Sequence, residues 1–103
     1  VPSTGLIFVS GQIPGDPSGQ LVSGSIAVQT AACCENIKAI LAEAGSDLSK
    51  VVKCTVFLSD MANFAEMNGT YERYFPHRPS RSCVAVRELP KNVPVEIECI
   101  ALV

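Results

Sequence analysis

The stretch Pro94-Val95-Glu96-Ile97-Glu98-Cys99-Ile100-Ala101-Leu102-Val103 decides the fold. Val95, Ile97, Cys99, Ala101 and Val103 alternate onto one face, the period of a strand, and fill it with apolar groups. The opposite face carries Glu96, Glu98, Ile100 and Leu102, a mixture too apolar for open water across a whole sheet. The first face therefore calls for a layer of helices. The second calls for other copies of the chain, so a homo-oligomer is expected, with the glutamates at or near the subunit contacts.

Upstream, Ser82 to Val86 reads as a strand, and Lys50 to Leu58 as another, with Val52, Cys54, Val56 and Leu58 on one face. Between them a helix opens at Asn63, with Glu66 placed as in a capping box. Phe64, Met67, Tyr71, Tyr74 and Phe75 form its stripe, and Pro76 ends it. From about Ile26 to Ala44, Cys33, Cys34, Ile37, Ile40 and Leu41 recur at helical spacing, with Ser25 as N-cap and Gly45 as stop. Leu6-Ile7-Phe8-Val9 is a short strand ended by Ser10-Gly11. Gly15-Asp16-Pro17-Ser18-Gly19 is a turn cluster, after which Leu21-Val22 returns as a second short strand. The order β-β-α-β-α-β-β predicts an α+β fold, a mixed sheet with two helices on one face, as one domain over residues 1–103.

The composition narrows the function classes. Of 103 residues 48% are hydrophobic and 17% charged, with a net charge of -2. No basic run of five or more appears, which argues against nucleic acid as a partner. No apolar run reaches the roughly 18 residues that span a bilayer, so a soluble protein is expected. The cysteines Cys33, Cys34, Cys54, Cys83 and Cys99 are odd in number and lack a C-x-x-C spacing. That argues against a disulfide framework or a zinc site and for a reducing, intracellular compartment.

Arg81-Ser82-Cys83-Val84 and Val95-Glu96-Ile97 place an arginine and a carboxylate on two segments that read as neighbouring strands. An arginine fork suits a carboxylate held bidentately. A glutamate beside it can move protons on the same bound molecule. Alternatively the two form a structural ion pair. No histidine is evidently placed to activate Cys83, whose thiol reads as wall, and His77 lies in a proline-bounded surface loop. Asn68 alone reads as a solvated helix residue and Gly11 as a strand-ending turn glycine.

Pro79-Ser80-Arg81-Ser82-Cys83-Val84 through Leu89-Pro90-Lys91 to Val95-Glu96-Ile97-Glu98 resembles the signature of the RidA (YjgF) family of imine deaminases. Ser10-Gly11-Gln12-Ile13-Pro14, the run Val52 to Leu58, and Met67-Asn68-Gly69-Thr70-Tyr71 resemble it in order and spacing. The resemblance implies a chorismate-mutase-like fold and a homotrimer with a pocket at each subunit interface. It also implies hydrolysis of 2-iminoacids and their enamine tautomers, such as 2-iminobutanoate and 2-iminopropanoate, to 2-oxoacids and ammonia. On the matching positions Arg81 holds the substrate carboxylate with the Cys83 N–H, and Glu96 activates water. Gly11 and Asn68 line the site, and no cofactor or metal is called for. The implied location is the cytoplasm or the mitochondrial matrix.

Family members usually carry a segment of Gly-Pro-Tyr-Ser-Gln type before the first strand, whose tyrosine stacks over substrate. Val1-Pro2-Ser3-Thr4-Gly5 does not match it, so either a trimmed N-terminus or a pocket without that lid is expected. Two further readings stay open. One is a non-catalytic trimer that senses 2-oxoacids. The other is a chaperone or translation-inhibiting ribonuclease, activities attributed to relatives, against which the acidic composition argues.

Overall fold

The computed structural model describes residue 1 and residues 3–103; Pro2, within the N-terminal segment compared above, lies outside the described residues. Strands β1 (Leu6–Gln12), β2 (Val51–Leu58), β3 (Ser80–Ala85) and β4 (Val95–Leu102) form one sheet in the order β1-β4-β2-β3. Helix α1 (Ile26–Glu43) precedes β2 and helix α2 (Phe64–Tyr74) joins β2 to β3. The β1–β4 and β4–β2 pairs are antiparallel, whereas β2 and β3 are parallel. A parallel neighbour needs a crossover connection, and α2 is that crossover.

The expected α+β architecture is present, with two differences in its elements. Leu21 forms only an isolated bridge to Gly15, not a strand. Here the turn chemistry prevails: the Asp16 carboxylate accepts hydrogen bonds from the Ser18 and Gln20 N–H groups, and Gly19 takes a φ of +87°. Conversely, β1 continues through Ser10 and Gly11 to Gln12, with a register shift between Val9 and Gln12. Gly11 is thus a bulge residue inside a strand rather than its terminating turn.

Both ends of α1 follow from local sequence. The Ser25 hydroxyl accepts from the Val28 N–H at 3.2 Å. At the other end Gly45 has a φ of +79°, and its N–H and that of Ser46 bond back to the Ala42 and Leu41 carbonyls. This is a Schellman closure, and the left-handed turn is where glycine escapes a side-chain clash. The capping box expected at α2 does not form. Asn63 makes no side-chain cap, and the Glu66 carboxylate instead accepts from the Ala27 N–H of α1 at 3.1 Å. The carboxylate thus satisfies a free donor on the other helix, which packs beside it.

The core lies between the helices and one sheet face. Cys33, Cys34, Ile37 and Leu41 of α1 and Met67, Tyr71 and Phe75 of α2 pack with Cys54, Val56, Leu58, Val95, Ile97 and Cys99. Among the described residues no helix layer covers the opposite face. Phe8, Val84 and Leu102 are 59%, 45% and 47% exposed there, beside the half-buried Ile100, Glu96 and Glu98. The helix-free face is thus part apolar and part acidic at its surface.

Candidate functional site

Arg81 and Glu96 do not lie on neighbouring strands. β2 runs between β3 and β4, so the sequence expectation on this point is corrected. Arg81 stands opposite Cys54 and Cys83 opposite Val56, both of which point into the core. Side chains directly opposed across strands share a face, so Arg81 and Cys83 project on the helix side of the sheet. Glu96 is opposed to Phe57, and Phe57 to Val84, which places it on the open side. The two groups therefore sit on opposite faces of the sheet, and in one chain they cannot form an ion pair or share a pocket.

Arg81 is held from α2. Its guanidinium lies 4.7 Å from the centre of the Tyr71 ring and 5.4 Å from that of Phe64. Both are cation–π distances. The Arg81 Nη1–H group donates to the Asn68 side-chain carbonyl. The Asn68 amide donates in turn to Glu72 at 3.0 Å. Phe64, Asn68, Tyr71 and Glu72 recur at the three- and four-residue spacings that share one helix face. Against this face a cleft of about 420 Å³ opens, lined by Asn68, Tyr71, Glu72, Phe75, Arg78, Pro79 and Arg81. One guanidinium offers five N–H donors, so the bond to Asn68 leaves a fork for a carboxylate.

Asn68 is thus half-buried beside Arg81 rather than on a solvated helix face. The sequence reading left out Glu72 and Arg78, and took Phe64 and Tyr71 for the helix's apolar stripe alone. The helical spacing around Asn68 carried the signal for Phe64, Tyr71 and Glu72. The Tyr71 hydroxyl is buried with no hydrogen-bond partner among the described residues. Burial, and then the neighbouring Cys54 thiol, push its pKa well up, so the ring below Arg81 is neutral.

On the open face the Glu96 carboxylate lies directly over Gly11. A β-carbon added at Gly11 would stand 2.8 Å from Glu96 Cδ and closer still to its Oε1. The bulge and the missing side chain together give the carboxylate its seat. Glu98 is opposed to Thr55, next along the same face.

Cys83 is half-buried on the side of Arg81; burial raises its thiol pKa, only partly countered by the guanidinium. That is the reverse of the activation a nucleophilic cysteine needs. The exposed His77 places Nε2 2.9 Å from the Val51 carbonyl, a contact in which the ring nitrogen donates. Among the described residues no group of three or more His, Cys, Asp and Glu side chains is arranged to hold a metal ion. No helix there is long and apolar enough to cross a membrane.

The comparisons with known proteins agree with this architecture. The family described as endoribonuclease L-PSP matches residues 1–103. The mitochondrial protein MMF1 of Saccharomyces cerevisiae is 50% identical over 97 residues, 93% of this chain and 67% of its own length. The 2-iminobutanoate/2-iminopropanoate deaminase of Salmonella typhimurium is 44% identical over 101 residues, 94% of this chain and 79% of its own length. The crystal structure of E. coli TdcF with bound serine superposes with a TM-score of 0.90 at 39% identity, covering 96% of this chain and 81% of that one. A matched family over the whole chain, carried on the same fold, makes this protein a member of the endoribonuclease L-PSP, or RidA (YjgF), family.

Proposed function

We propose that this chain is a hydrolytic deaminase of 2-iminoacids and their enamine tautomers, with 2-iminobutanoate and 2-iminopropanoate as substrates and 2-oxoacids and ammonia as products. The observation that carries the reading is the Arg81 guanidinium, oriented by Asn68, Tyr71 and Phe64 beside an open cleft with donors to spare. The similarity to the Salmonella deaminase supports it.

Arg81 binds the substrate carboxylate, with the Cys83 N–H as a second donor. The protonated C=N carbon is electrophilic without a metal. Glu96 takes a proton from water as the oxygen attacks that carbon and returns it to the nitrogen; it then takes the remaining hydroxyl proton as the C–N bond breaks, ammonia departs and C=O forms. Because Arg81 and Glu96 lie on opposite faces, the working site takes Arg81 from one copy and Glu96, seated on Gly11, from another. The exposed Phe8, Val84 and Leu102 supply the contact surface. We assign a homotrimer as the assembly and the cytoplasm or mitochondrial matrix as its location.

A coupled assay tests the function. A threonine dehydratase generates 2-iminobutanoate in situ while semicarbazide traps it. The wild-type protein is expected to suppress trapping, and Arg81→Ala and Glu96→Gln are not. Wild-type activity in Glu96→Gln would remove the glutamate from the chemistry. A second reading, a non-catalytic carboxylate-binding protein, is favoured by the arginine cleft standing apart from Glu96 in one chain. It predicts 2-oxobutanoate binding without deamination.

A further inference from the structure

The Arg81 cleft is lined by a second arginine that the proposed reaction leaves unused. Arg78 lines the same cleft of about 420 Å³. It is exposed and, unlike Arg81, is committed to no neighbour among the described residues. Its backbone is held in the left-handed region at a φ of +54°, and its N–H bonds to the Phe75 carbonyl at 3.2 Å. For a residue with a side chain this conformation is strained, because Cβ crowds the following carbonyl. Arg78 also precedes Pro79, where helical conformations are further disfavoured. Strain of this kind persists where the surrounding chain enforces it, and it is enriched at ligand sites. Here it accompanies an arginine brought beside the cleft that holds Arg81.

The charges in the cleft are unequal. Two arginines and one carboxylate, Glu72, line it, and that carboxylate already accepts from Asn68. A ligand carrying one carboxylate satisfies Arg81 and leaves Arg78 without a counter-charge. A ligand with a carboxylate at each end engages both.

We propose that Arg78 is a specificity-determining residue that recognises a second anionic group, so the cleft favours short 2-imino- and 2-oxodicarboxylates over the monocarboxylates. This rests on the reading of Arg81 as the clamp for the first carboxylate. The binding step makes and breaks no covalent bond, so it can be tested with stable 2-oxoacids.

The experiment is a calorimetric titration of wild type, Arg78→Ala and Arg78→Lys with 2-oxobutanoate and 2-oxoglutarate, at low and high salt. Wild type is expected to bind 2-oxoglutarate about fivefold more tightly than 2-oxobutanoate, the worth of one exposed charge pair. Arg78→Ala should bring that ratio towards one, Arg78→Lys should restore part of it, and salt should shrink it. Equal or weaker binding of the dicarboxylate by wild type overturns the proposal, as does an unchanged ratio in Arg78→Ala. If wild type binds neither acid, the Arg81 clamp itself fails. The monocarboxylate arm separates that outcome from a failure confined to Arg78.

Discussion

The Glu96 carboxylate occupies the space that a β-carbon on Gly11 would need, with Cδ only 2.8 Å from that position. Gly11→Ala should therefore displace the carboxylate. The displaced group is the end of a flexible side chain, so the fold should survive. The expected result is a melting temperature within a few degrees of wild type and deaminase activity reduced at least tenfold. In a double-mutant cycle, adding Gly11→Ala to Glu96→Gln should cost nothing more, because both act through one group.

Asn68 accepts from Arg81 while donating to Glu72. Asn68→Ala removes the acceptor that orients the guanidinium, and a hydrogen bond to a charged group contributes about 1.5–3 kcal/mol. KM for the imine should rise by about tenfold or more, with kcat changed less, in steady-state assays. Arg81→Lys should be worse, since an ammonium loses both the planar fork and its stacking on Tyr71 and Phe64.

A site assembled from two copies has a signature that one chain cannot mimic. Arg81→Ala and Glu96→Gln proteins, each inactive alone, should regain part of the wild-type activity when mixed, unfolded and refolded together. Mixed assemblies then contain contacts that join an intact Arg81 to an intact Glu96. Phe8→Glu, which charges the exposed sheet face, should lower both the assembly size in sedimentation and the activity.

Helix capping distinguishes two glutamate roles at α2. Glu66→Ala should destabilise the protein by about 1 kcal/mol in denaturant melts, because the Ala27 N–H loses its acceptor. Asn63→Ala should be close to neutral, since its side chain makes no cap. The reverse ranking would restore the local capping box.

The buried thiols set an alkaline limit. Burial, then the Glu96 carboxylate, push Cys33 from 9.0 to about 12; burial, then the Cys54 thiol, push Cys99 likewise from 9.0 to about 12. Between those values the folded protein keeps protons that the unfolded chain has lost. Their stabilising contribution is therefore full below pH 9 and is lost as pH rises to about 12. Melting temperature should fall through that window, and Cys33→Ala with Cys99→Ala should flatten the fall. At pH 8 a maleimide should label Cys83 first in the native protein, because the other four thiols are buried.

The α+β class, both helices, the four main strands and the two-faced terminal strand were legible because each rests on a short-range period or a local cap. Alternation placed Val95, Ile97 and Cys99 inward and Glu96 and Glu98 outward. Ser25 and Gly45 marked the ends of α1. The family motif singled out Arg81, Cys83, Glu96, Gly11 and Asn68. What the sequence alone could not determine was which strands are neighbours. β2 pairs in parallel with β3 through the α2 crossover and antiparallel with the more distant β4, so it stands between them. The pairing register, with Arg81 opposite Cys54 and Glu96 opposite Phe57, put the two groups on opposite faces. Tertiary packing also drew Glu66 to α1, brought Phe64 and Tyr71 beside Arg81, and seated Glu96 on Gly11. Each of these contacts depends on distances between elements, which no local period encodes.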